Sequence, residues 1–123
     1  MPDGLKPGDA IWLRFPFSDP PKNKICLCVC VEENVFLIVS TRAYRFAPAD
    51  SQLRIFKAEL GILEYDSYID VSKSYTFPAE VIAKGVAKGT YPLADSARTR
   101  IKHAVQTQPY LPERIKKKIL ENL

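Results

Sequence analysis

The alternation of residues 11 to 17 constrains this chain more than any other stretch. Ile11, Leu13, Phe15 and Phe17 interleave with Trp12, Arg14 and Pro16, the two-residue period of a strand with one buried face. Gly8-Asp9 ahead of it is a turn signal. Pro16 has no amide hydrogen to offer a neighbouring strand, so this end is expected at a sheet edge or a bulge. A turn rich in Lys and Pro, residues 19 to 24, leads into a second strand over about 24 to 31. Both of its faces are apolar, which predicts a central, buried position. Glu32-Glu33-Asn34 reads as a tight turn into a third strand, 35 to 39, and the two strands form a hairpin. Ser40-Thr41-Arg42 leaves the sheet, and residues 43 to 52 read as a loop.

Further along, residues 53 to 56 read as a short strand, and 57 to 63 as either a loop or a helical turn. Residues 67 to 71 and 74 to 77 read as one bent strand or two short ones. Residues 80 to 87 alternate Val81, Ala83, Gly85 and Ala87 against Ile82 and Val86, which reads as a strand, with Gly85 and Gly89 marking a bulge. After Gly89 the pattern turns helical. Pro92 opens a stretch to about Thr107, with Asp95 or Ser96 as N-cap and with Ala97, Ile101, Ala104 and Val105 on one face. Pro112 and Glu113 suit the first turn of a second helix, whose apolar stripe is Ile115, Ile119, Leu120 and Leu123. The expectation is one domain over residues 1 to 123, β-rich from about 8 to 90 and helical from about 92 to 123.

Composition narrows the classes. Hydrophobic residues make up 46% of the 123 and charged residues 26%, ordinary for a globular protein with a core of its own. No apolar run approaches the ~20 residues of a membrane helix, and the first residues do not resemble a signal peptide; the cytoplasm, and no membrane partner, is the expectation. The net charge of +4 permits a polyanionic partner without requiring one. Arg114, Lys116, Lys117 and Lys118 read first as a solvated helix face and second as a phosphate-binding surface. Cys26, Cys28 and Cys30 fall on one face of the second strand. Neighbours at i and i+2 are roughly 6.6 Å apart with parallel side chains, poor geometry for a disulfide, so reduced, buried thiols are expected and no metal or other cofactor is implied. His103 is the only histidine and lies in the first of these two late helices, where a structural or exposed role is expected.

Two segments carry a family resemblance. Gly8-Asp9, the apolar strand ending Phe15-Pro16-Phe17-Ser18-Asp19, the basic loop and the following strand resemble the opening of the MazF/PemK-like toxins of toxin–antitoxin systems. Tyr65-Asp66-Ser67-Tyr68-Ile69-Asp70-Val71-Ser72 resembles that family's mid-chain Asp-Ser-Tyr-(Ile/Val)-Asp-x-Ser stretch. The resemblance implies a mostly β fold with C-terminal helices, an SH3-like (CcdB/PemK-type) small β-barrel. It implies metal-independent endoribonuclease activity on single-stranded RNA, a homodimer and a cognate antitoxin.

In-line attack by a ribose 2′-OH needs a proton acceptor, a proton donor and a cation on the phosphorane. The resemblance points to Lys24, Thr41 and Asp70 as catalytic and to Ser18 and Ser40 as substrate-binding; Arg42, just after the third strand, is a further cation for the substrate, and Tyr68, Tyr44 and Trp12 are rings on which bases could stack. The sequence departs from the family where Arg-Pro is usual at the start of the second strand: here it is Lys24-Ile25. An ammonium neutralises a phosphate but lacks the two-pronged fork of a guanidinium. The competing expectation is therefore a barrel of the same type that binds a protein or nucleic acid without cutting.

Overall fold

A computed structural model describes residues 4–15, 20, 22–43, 48 and 50–123. The strands are β1 (Asp9–Phe15), β2 (Lys22–Cys30), β3 (Val35–Ser40), β4 (Gln52–Ile55), β5 (Ser67–Asp70), β6 (Tyr75–Thr76) and β7 (Tyr91–Pro92). The helices are α1 (Ala79–Ala87), α2 (Asp95–Thr107) and α3 (Glu113–Asn122). The seven strands form one sheet in the order β4-β5-β3-β2-β1-β7, with β6 also on β3, and every pairing is antiparallel. The chain is thus mostly β, with its helices toward the C-terminal end.

β2 is central, as its two apolar faces require, and residues 31 to 34 make the turn to β3. Asn34 takes a φ of 56° there, a left-handed conformation that Asn tolerates better than most residues. Segments 67–70 and 75–76 are two short strands on the same edge of β3. The sheet curls far enough for the segments beyond its terminal strands to meet. Leu60, after β4, bridges Leu93, after β7, and the Ala94 amide donates to the Glu59 carbonyl at 2.8 Å.

One face of the sheet packs Ala10, Leu27, Leu37 and Ile69 against Ala97, Ile101 and Val105 of α2 and Ile119 of α3. The other packs Ile11, Leu13, Cys26, Phe36 and Phe77 against Ile82 of α1. Phe36 and Phe77 meet edge-on, with centroids 5.5 Å apart. Each such fully buried side chain contributes about 1.5–3 kcal/mol.

Three expectations need correction. Residues 79–87 form a helix, not a strand. The run is short and small-residue-rich, so both periods fit it; the boundary signals decide, with Pro78 just before the first turn and Gly89 (φ 122°) just after the last. The three cysteines, though all buried and unpaired, do not share a face. A bulge between Cys28 and Cys30 puts Cys26 and Cys28 under α1 and Cys30 under α2 and α3. Burial pushes the Cys26 and Cys28 thiols up to about 12, so they stay protonated. Finally, neither Asp95 nor Ser96 caps α2. Ala94 holds the cap position without a side-chain bond, because the Leu60–Leu93 bridge fixes where the chain turns into the helix, and the Ser96 hydroxyl is spent on Glu59.

α1 covers the edge of β1. Beyond Ala10, the side of β1 away from β2 pairs with no described strand, and such an edge invites unwanted pairing unless it is covered. Gly85 makes the close approach possible: a Cβ there would lie 2.5 Å from the Trp12 carbonyl oxygen and 3.0 Å from a Leu13 methyl.

Candidate functional site

Strand register assembles the site. Trp12 of β1 lies opposite Ile25 of β2, and Ile25 opposite Val39 of β3. This rank continues the face that α2 and α3 cover, but it stands past their reach, and Trp12 is 39% exposed. Three hollows adjoin it. The first, about 270 Å³, is bordered by Asn23, Lys24 and Ile25 from β2 and by Val39, Ser40 and Thr41 from the end of β3. The second, about 160 Å³, runs from Ile25 and Thr41 to Ile62, Glu64 and Tyr65. The third, about 250 Å³, lies on the α1 side, with Arg14, Asn23, Lys84 and Lys88 on its rim. Trp12 borders all three.

Lys24, Ser40 and Thr41 therefore come together at one hollow. Strand alternation sends Lys24 and Ser40 toward the Phe15 face and Thr41 toward the Trp12 face; the Lys24 ammonium lies 5.1 Å from the Phe15 ring centre. Tyr68 lies directly across from Ser40. Arg42 is exposed in the bend that follows β3. Asp70 stands apart. It pairs with Gln52, two residues along β5 from Tyr68, and one of its oxygens accepts from the Ser72 amide at 2.8 Å and the Ser72 hydroxyl at 2.6 Å. Ser18 and Tyr44 lie outside the described residues. His103 is exposed on α2, remote in the sequence from every strand of the site.

Sequence reasoning passed over four cations. Arg54 of β4 sits opposite Tyr68, with its guanidinium carbon 5.8 Å from the Tyr68 ring centre and 5.7 Å from that of Phe56. Asp66 meets it at 3.4 Å and also accepts from the Lys57 amide at 2.8 Å. That amide bond, followed by the Arg54 contact, lowers the pKa of Asp66. Arg54 thus supplies a positive charge beside Tyr68 that the segment around Tyr68 lacks; only the sheet register reveals it. Arg14, Lys84 and Lys88 are the other three. Arg14 was legible as the outward neighbour of Trp12 in the β1 alternation. Lys84 and Lys88 were legible as an i, i+4 pair only once residues 79–87 are a helix.

The basic stretch near the C-terminus behaves as a solvated helix face. Arg114 and Lys118 pair with Glu33 of the β2–β3 turn, Lys116 with Glu113 and Lys117 with Glu121. The Arg114 hydrogen bond is the main reason the Glu33 pKa is lowered.

No helix among the described residues is long and apolar enough to cross a membrane. Comparison of the chain with protein-family models, with curated proteins and with solved structures found no match.

Proposed function

We propose that this chain holds single-stranded RNA across Trp12 and, like the MazF/PemK-like toxins that its sequence resembles, cuts it without a metal. On this reading the curled sheet is an SH3-like barrel of the CcdB/PemK type. The protein acts in the cytoplasm as a homodimer, and an antitoxin covers the same surface. The observation that carries the reading is the meeting of Lys24, Ser40 and Thr41 at a hollow walled by a half-exposed indole. A base stacks on such an indole whatever its identity. Thr41, on the indole's own face, offers a hydroxyl to a non-bridging oxygen. Lys24, whose backbone borders the hollow and whose ammonium stands at the Phe15 ring on the opposite face, offers a positive charge to a phosphate at this end of the sheet. Tyr68 and Arg54 extend the neighbouring rank, that of Lys24 and Ser40, across β5 and β4.

The non-catalytic alternative has its own observation. Asp70, expected to be catalytic, is engaged by Ser72 and does not border the hollow of Lys24 and Thr41. Single-turnover cleavage of a mixed-sequence RNA in EDTA separates the two. If the chain is a nuclease, Lys24→Ala slows cleavage by about tenfold to hundredfold, and Lys24→Arg retains or raises the rate. A wild type that binds RNA but is inert, with or without Lys24→Arg, leaves the binding module standing. A wild type that neither binds nor cuts RNA ends both.

A further inference from the structure

The hollow on the α1 side is not part of the expected nuclease site. Arg14 stands on β1, two residues from Trp12, and so on the same strand face. Lys84 stands on α1 and Lys88, one turn later, at its C-cap; Gly85 lets this helix settle onto the Trp12 carbonyl. All three cations are exposed and none makes an ion pair with another described residue. No carboxylate of the described residues borders the hollow; its remaining described lining is Trp12, Asn23, Val81 and Gly85. Like charges one turn apart on a helix cost a few tenths of a kcal/mol. On α3, Lys116, Lys117 and Lys118 each pair with a carboxylate, whereas Lys84, although Glu80 stands one turn before it, and Lys88 make no ion pair with a described residue.

The geometry points to this hollow as a phosphate subsite for the same RNA strand, one step beyond Trp12 from Lys24. It rests on the RNA reading above and extends it: Trp12 borders both hollows, so a strand whose base stacks on the indole has a flanking phosphate on either side. The hollow that Thr41 and Lys24 border serves one flank, and Arg14, Lys84 and Lys88 serve the other. Asn23, shared by both hollows, adds an uncharged donor between them. Recognition here is of the backbone, and so independent of sequence.

The test is the salt dependence of binding by a fluorescein-labelled single-stranded RNA of ~10 nucleotides, read by anisotropy in EDTA. Wild type is compared with Lys84→Gln/Lys88→Gln and, separately, with Lys24→Gln. Both lysines of α1 are exposed, and a thermal melt confirms that the double variant is folded. Each lost phosphate contact flattens the slope of log K against log salt by about 0.7 for a single strand, so the double variant should flatten it by about 1.4. Lys24→Gln should flatten it independently. If the double variant keeps the wild-type slope while Lys24→Gln loses part of it, the subsite is overturned and the RNA reading stands. If wild type does not bind the RNA, both fall together.

Discussion

At the seam that joins the two ends of the sheet, Arg100 of α2 grips Glu59 with two hydrogen bonds of 2.6 and 2.7 Å. The Ser96 hydroxyl and the Phe56 amide also donate to that carboxylate, and Arg100 reaches the Arg54 carbonyl as well. Around Trp12, Arg14, Lys84 and Lys88 border a hollow with no carboxylate among the described residues. Both regions are rich in cations on a curled sheet. In the first the charge is consumed in holding the fold; in the second it faces solvent. The contrast separates structural from functional charge more sharply than net charge does. Substitutions at the seam should cost stability, whereas substitutions beside Trp12 should cost binding.

The largest expected effect falls where the two roles touch. Gly85→Ala places a methyl 2.5 Å from the Trp12 carbonyl. α1 must then lift from β1, at a net cost of about 1–3 kcal/mol despite the better helix propensity of Ala. The same shift carries Lys84 and Lys88 away from Trp12. Urea unfolding and RNA binding should therefore both deteriorate. An unchanged unfolding midpoint would mean that α1 does not seat as closely as the structure has it.

Next comes the seam alone. Glu59→Ala removes a carboxylate whose side chain is only 10% exposed and strands Arg100, at a cost of about 2 kcal/mol. It should leave RNA affinity within about twofold, because the seam lies outside the hollows around Trp12; one factor of two is only about 0.4 kcal/mol. The pH dependence follows the same group. The Arg100 hydrogen bond, foremost, holds the Glu59 pKa at about 2, well below its ordinary 4.5. A depressed carboxylate pKa stabilises the fold above the unfolded value. That contribution should fade as pH falls from about 4.5 toward 2, and a chemical-denaturation series over that window should show a smaller loss in Glu59→Ala than in wild type.

The smallest effect is expected from Lys84→Gln/Lys88→Gln on stability. Relief of the repulsion between them is offset by loss of Lys84 as the i, i+4 neighbour of Glu80 and of two cations at the C-terminal end of α1, so stability should change by no more than a few tenths of a kcal/mol. A large loss in the melt would place these lysines with Arg100 as structural groups and erase the contrast.

Much of the fold was legible because strand period and turn chemistry agree. β1, the β2–β3 hairpin and the two late helices follow from alternation at Ile11, Leu13 and Phe15, from Asn34 in the turn, and from the stripes through Ile101 and Ile119. α1 was misread because a nine-residue run of small and β-branched residues satisfies both periods; Pro78 and Gly89 carried the information that the alternation hid. The third cysteine changed faces because a one-residue bulge reverses every parity argument beyond it. At the candidate site, Lys24, Ser40 and Thr41 were legible as neighbours of strand ends. Arg54 was not, since no sequence spacing reveals that β4 lies across from Tyr68. Lys84 and Lys88 were hidden by the wrong period alone.

Trp12 is the only tryptophan in the chain, so its fluorescence reports on the proposed contact surface and nothing else. Titration with an unlabelled single-stranded RNA of ~10 nucleotides in EDTA is the most direct measurement. The account predicts saturable quenching of Trp12, weakened steeply by added salt and reduced in affinity by Lys24→Gln. RNA that binds by anisotropy but leaves the Trp12 emission unchanged would show that it docks elsewhere and would contradict the account.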